Sequence, residues 1–125
     1  MITAEDVWMQ TLCQGDPKAM LQLYAPDAVL VATFAPAPLT SRRQILEYFV
    51  KFLGGKPGLC GKVLTRYPRT ISKNGYVSSG LYIFQWPENG QLKSQKARYT
   101  YVWTECPYSG TAKILTHHSS VVPDA

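Results

Sequence analysis

The groups best suited to moving protons stand close together near the C-terminus: His117-His118, then Ser119-Ser120, preceded by Tyr99, Tyr101 and Trp103 at every second position. A neutral imidazole among tyrosines can act as a general base or as a hydrogen-bonding anchor, so His117 and Tyr101 are candidate catalytic groups. Asp27, beside the apolar run Ala28-Val29-Leu30-Val31-Ala32, is the third candidate. A short carboxylate between a helix and a strand also serves to accept backbone N–H groups, which is its structural alternative.

Other chemistries lack their parts. Adjacent strand residues point to opposite faces, so His117 and His118 cannot hold one metal ion, and the only carboxylate between Gly61 and Thr104 is Glu88. No metal site is expected. Gly54-Gly55 and Gly58, flanking Lys56-Pro57, follow an aromatic helical stretch rather than a strand, so no phosphate-cradling loop is expected and no cofactor is implied. His118 and Ser120 lie ~6.5 Å apart on a strand with no acid to orient the imidazole, and read as an interface pair rather than base and nucleophile. Cys13, Cys60 and Cys106 are odd in number, widely separated and without a CxxC pair, and read as small buried hydrophobes rather than a disulfide framework.

The elements that must position these groups follow from periodicity and punctuation. Thr3 with Asp6 forms a capping box for a helix to Gln14 that turns Val7, Trp8 and Leu12 inward, and Gly15 stops it. Asp16-Pro17 restarts a helix carrying Ala19, Met20, Leu23 and Tyr24 at helical spacing as far as Pro26. A buried strand over 28–33 ends at Ala35-Pro36-Ala37-Pro38. Ser41 and Gln44 cap a third helix with Ile45, Phe49, Phe52 and Leu53 on one side. Strands are expected over 61–71, 76–86, 97–105 and 111–122, with turns at Lys73-Asn74-Gly75, at Pro87-Glu88-Asn89-Gly90 and over 106–110. The order is ααβαββββ, an α+β fold in which three N-terminal helices cover a strongly curved antiparallel sheet.

Register arithmetic assigns faces to the strands. If Trp86 pairs with Gln91 and Cys106 with Gly110, Tyr101 lies opposite Leu115 and Tyr99 opposite His117. One face then gathers Tyr82, Phe84, Tyr99, Tyr101, His117 and Ser119, and with Phe49 and Phe52 from the third helix these are the expected ligand-binding residues. The other face carries Arg98, Thr100, Val102, Thr116, His118 and Ser120, regular but only moderately apolar, as suits contact with a second copy of the chain.

The element order, together with Gln14-Gly15-Asp16-Pro17, Leu23-Tyr24-Ala25-Pro26-Asp27-Ala28-Val29, Ser79-Gly80-Leu81-Tyr82, Ala97-Arg98-Tyr99-Thr100-Tyr101-Val102-Trp103 and His117-His118-Ser119-Ser120, resembles the NTF2-like (cystatin-like) superfamily. Within it the chain is most similar to SnoaL-like proteins and to the association domain of calcium/calmodulin-dependent protein kinase II. The resemblance implies a cone with a pocket at its wide end, on a fold that hosts isomerases, dehydratases, hydrolases and plain assembly modules. The kinase association domain implies pocket arginines at the positions of Phe84, Tyr101 and Ser119, and all three are absent here. An acidic ligand held in that manner is therefore not expected, and Arg98, the nearest basic residue, alternates onto the opposite face.

Composition bounds the partners. With 125 residues, 46% hydrophobic and 17% charged, the chain reads as one domain over 1–125. The thirteen Lys and Arg are dispersed, with Arg42-Arg43 the tightest cluster, so the net charge of +5 marks no nucleic-acid-tracking face. No apolar run approaches the ~20 residues of a membrane span, the N-terminal residues offer no apolar export segment, and a cytoplasmic location is expected. Two functional readings follow: a homo-oligomeric module whose aromatic pocket takes a small apolar ligand without catalysis, or a cofactor-independent SnoaL-like acid–base enzyme of isomerase, cyclase, dehydratase or hydrolase type. A carboxylate in the pocket within reach of His117 or a tyrosine separates the two.

Overall fold

A computed structural model of the chain describes residues 3–105 and 112–123; the turn expected over 106–110, with Cys106, lies outside them. Helix α1 (Ala4–Gln14) begins at the expected box, with the Asp6 amide donating to Thr3 Oγ1 at 3.1 Å, and ends on Gly15 at φ 74°. That left-handed conformation is the one glycine adopts without strain. Helix α2 (Pro17–Leu21) is capped by Asp16, which accepts from the amides of Lys18 and Ala19. It is shorter than its spacing predicts, because Tyr24 leaves the helix to open strand β1 (Tyr24–Val31). Helix α3 (Arg42–Gly55) is capped by Ser41 and buries Ile45, Phe49, Phe52 and Leu53, as expected.

Strands β2 (Cys60–Ser72), β3 (Gly75–Glu88), β4 (Gln91–Glu105) and β5 (Ala112–Val121) complete a five-stranded sheet in the order β1-β5-β4-β3-β2. Four strands are antiparallel neighbours, but β1 runs parallel to β5, with Leu30 opposite His117, so the sheet is mixed rather than wholly antiparallel. Its curvature has local causes. Irregular steps fall between Val63 and Thr65, between Thr70 and Ser72 on β2, and between Val102 and Trp103 on the β4–β5 ladder. Each extra residue bends and twists the strand that carries it. At Gly80 a Cβ would come within 2.1 Å of the Thr65 carbonyl oxygen and 2.9 Å of the Tyr99 hydroxyl. Only glycine lets these strands and that hydroxyl approach so closely.

The concave face and the helices enclose one core, in which α1 buries Glu5, Trp8, Met9 and Leu12. Val7, expected inside, is exposed, because the buried stripe of α1 runs through positions 5, 8, 9 and 12. The cysteine reading is corrected as well: Cys13 and Cys60 are joined by a disulfide across a sequence separation of 47, and Cys60 is exposed. Spacing carried no trace of the pair, which exists because the end of α1 docks on the start of β2. Such bonds persist in oxidising compartments and are rare in the cytosol, so this one counts against the expected cytoplasmic location. Among the described residues no helix is long and apolar enough to cross a membrane.

Closing a loop of this length is worth about 4 kcal/mol by chain entropy, with measured values commonly at 2–4 kcal/mol. Reduction with dithiothreitol, or Cys13→Ser, is expected to lower unfolding free energy by that amount in urea titrations. Equal stability before and after reduction would show that the bond carries no constraint.

Candidate functional site

The expected face is assembled, on a corrected register. Tyr101 lies opposite His117 and Tyr99 opposite Ser119, two residues further along β5 than the turn arithmetic placed them. A shift of two preserves the face. The bulge after Val102 then removes Leu115 from the alternation, so that Ile114 rather than Leu115 joins His117 and Ser119 inside. Arg98, Thr100 and Val102 pair with Ser120, His118 and Thr116 on the convex side.

Six of the eight expected ligand-binding residues line a common pocket: Phe49, Phe52, Tyr82, Phe84, His117 and Ser119. Tyr99 and Tyr101 share the concave face but do not line it; the Tyr101 ring packs on His117 at 4.4 Å between centroids, and the Tyr99 hydroxyl donates to the Thr65 carbonyl at 3.0 Å. Trp8, Tyr24, Leu30, Thr33 and Tyr48 also line the pocket and were missed. Trp8 and Tyr48 carried a usable signal, since one sits on the inner stripe of α1 and the other next to Phe49 on α3. Tyr24 did not, because its helical spacing concealed a strand. Asp27 is exposed and outside the pocket, which no carboxylate among the described residues lines, so it does not stand where a base would be needed.

The pocket is nearly full. Its volume is about 10 Å³, room for about one water molecule. Rings occupy the rest: Trp8 stacks on Tyr82 at 5.3 Å, Phe52 meets Phe84 edge-on at 5.7 Å, and Tyr48 meets Phe49 at 5.2 Å.

Through this apolar interior runs one chain of hydrogen bonds whose direction is set at its end. The indole N–H of Trp8 can only donate, and it does so to the Tyr24 hydroxyl at 3.0 Å. Tyr24 in turn donates to Nδ1 of His117 at 2.9 Å. On the other side the Tyr82 hydroxyl donates to Ser119 Oγ at 2.6 Å, so it accepts from His117 Nε2–H at 3.2 Å. Ser119 is hydrogen-bonded to Thr33 Oγ1. His117 is therefore a neutral imidazole with its proton on Nε2 and both nitrogens engaged. Burial, helped by nearby His118, pushes its pKa down to about 3. Burial likewise raises the phenols of Tyr24, Tyr82 and Tyr101 well above their ordinary value. None of these groups exchanges a proton readily near neutral pH.

A family model described as calcium/calmodulin dependent protein kinase II association domain matches residues 1–123. A candidate association domain of that kind from Xanthomonas campestris is 36% identical, with a TM-score of 0.87 over 96% of this chain and 84% of its own. An NTF2-like protein with a cystatin-like fold from Novosphingobium aromaticivorans superposes with a TM-score of 0.79 at 10% identity, over 95% of this chain and 77% of its own. A candidate dehydratase of the NTF2-like family from Streptomyces avermitilis does so at 0.79 and 15% identity, over 94% and 90%. At such identities the last two show the fold alone. No curated protein matches the chain.

The lowered pKa of His117 gives a pH dependence whose sign is fixed. The unfolded chain takes up a proton below the ordinary value of 6.5, the folded chain only near 3, so this contribution is complete above 6.5 and declines as pH falls toward 3. The slope reaches about 1.4 kcal/mol per pH unit, or about 2 kcal/mol lost by pH ~5. Unfolding of the parent chain and of His117→Gln at pH ~7 and ~5 should show that loss in the parent only. A parent as stable at the lower pH would contradict a neutral, buried His117.

Proposed function

The chain belongs to the calcium/calmodulin-dependent protein kinase II association domain family, and on that premise we propose that it is a homo-oligomeric module without catalysis of its own, joined through the convex face of its sheet. The observation that carries this reading is the contrast between the two sheet faces. Inside, His117 has both nitrogens bound to tyrosines and no carboxylate among the described residues lines its pocket. Acid–base catalysis needs a group free to take a proton within reach of a substrate, and this pocket offers none in its present packing.

Outside, half-buried Val77, Leu81, Ile83 and Val102 alternate with hydroxyl and basic groups already arranged among themselves. Ser79 bonds Thr100 at 2.8 Å, and Arg98 donates to Ser120 Oγ through Nε at 3.3 Å and Nη2 at 3.1 Å. An open hollow of about 210 Å³ lies over Arg98, Tyr99, Thr100, His118 and Ser120, room enough for a side chain from a facing copy. Such a mixed, self-complementary surface suits an isologous contact. The small apolar ligand of the sequence reading would enter the aromatic pocket only by displacing rings such as Tyr48 and Phe52.

Light scattering at micromolar protein is expected to give at least a dimer mass. Val102→Asp, at the centre of the face, should weaken self-association ~30-fold or more while leaving the thermal midpoint of the monomer fold unchanged. A monomer mass that does not change with concentration would overturn the reading.

A further inference from the structure

The convex face of the sheet carries charge of one sign. Lys62 and Lys96 flank Ile83 in one cross-strand row, Arg98 lies in the next beside Ser120, and Arg69 lies two rows further on, opposite Val77. All four cations are exposed. Among the described residues no Asp or Glu stands in these rows or in the row of His118 between them, and Asp27 lies before Val29 on the edge strand β1, outside them all. Facing water, such charges need no partner. Facing a second copy they do, because an isologous contact sets the same cations of both copies against one another, and like charges across an interface oppose it.

The hollow over Arg98, Thr100, His118 and Ser120 has the donors to hold what is missing. A guanidinium has five N–H groups, and Arg98 gives one from Nε and one from Nη2 to Ser120 Oγ, at 3.3 and 3.1 Å. Those two bonds fix the plane of the fork and leave three N–H groups over. Ser120 Oγ accepts both and keeps its own O–H to donate, and His118, in either tautomer, has a ring N–H. No carboxylate pairs with Arg98 among the described residues. A hollow dominated by donors, beside an oriented guanidinium, selects a group that accepts and is negatively charged.

Its volume of about 210 Å³ lies below the ~300–1,000 Å³ of sites for drug-sized molecules and suits a small ion. A carboxylate offers two oxygens in one plane and a single charge. A phosphate directs its oxygens several ways, toward a guanidinium, a hydroxyl and an imidazole together, and brings about two charges to offset the cations around it. We infer that the hollow at Arg98, His118 and Ser120 is a binding site for a small oxyanion of the phosphate type, and that filling it strengthens the contact between facing copies. The link to self-association rests on the oligomer reading; the site itself does not.

The Nε–H signal of Arg98 in a ¹H–¹⁵N spectrum, identified by its loss in Arg98→Gln, should shift saturably as sodium phosphate replaces chloride at constant ionic strength, with a midpoint of ~1 mM. Glycerol 3-phosphate tests the same site for a phosphate ester: a matching shift marks a site open to esters, a shift with inorganic phosphate alone a site for the free ion. Acetate should bind at least ~10-fold more weakly than phosphate. Arg98→Lys, which keeps the charge and removes the fork, should weaken phosphate binding ~10-fold or more, and Ser120→Ala several-fold. In light scattering the same phosphate should lower the dissociation constant between copies ~10-fold in the parent chain and not in Arg98→Lys. Saturable binding to a chain that stays monomeric at every concentration would support the site and overturn the oligomer reading instead. No saturable shift with phosphate, an equal response to acetate, binding undiminished in Arg98→Lys, or a dimer indifferent to phosphate would overturn the inference.

Discussion

The structure depends on the hydrogen-bond chain that passes through His117. A polar group inside an aromatic core is tolerated only when bonded, and here each bond is made by a different element. Trp8 comes from α1, Tyr24 from β1, Tyr82 from β3, His117 and Ser119 from β5, and Thr33 from the segment after β1. Each bond contributes only about 0.5–1.5 kcal/mol, but removing one partner leaves a buried donor or acceptor at greater cost. The chain thus fixes how α1 and β1 sit against the sheet, while the stacked rings around it supply the bulk of the burial.

The same constraint shapes what the molecule can do. A histidine that ties β1 and β3 to its own strand through both nitrogens is kept neutral by its surroundings, and the chemistry suggested by its residue type is spent on structure. The pocket beside it is filled by rings from α1, α3 and the sheet. On the convex side of the same strands, side chains bond to near neighbours and remain accessible. Alternation along β4 and β5 therefore separates two roles within adjacent residues: His117 closes the core, and His118 faces outward.

The interior is asymmetric along its length. Around His117 the donors and acceptors are matched one to one. Around Glu5 they are not, although the residue types are similar and the burial is as deep. Fold membership does not predict this difference, because the same cone carries many sites. It follows from a carboxylate on the first turn of α1 that is buried with one oxygen facing Arg66 of β2 at 3.6 Å and the other without a partner among the described residues.

The element order, the capping box of α1, the Ser41 cap of α3, the third helix and the division of β3, β4 and β5 into two faces were determined by the sequence itself. Caps and turns act within a few residues, and strand parity survives a register error of two, which is the error that occurred at Tyr101 and His117. What only the tertiary structure decided is every feature that needs two distant segments to meet. Tyr24 had helical spacing yet became a strand residue because β1 pairs with β5 in parallel. Leu115 left the core at a bulge that alternation cannot anticipate. Cys13 met Cys60, and Glu5, whose local context marks only the first turn of a helix, was buried facing Arg66 of β2. Local patterns carry the period of a strand and the start of a helix; they carry no information about which remote side chain will arrive opposite, because that is set by packing of the whole sheet against α1.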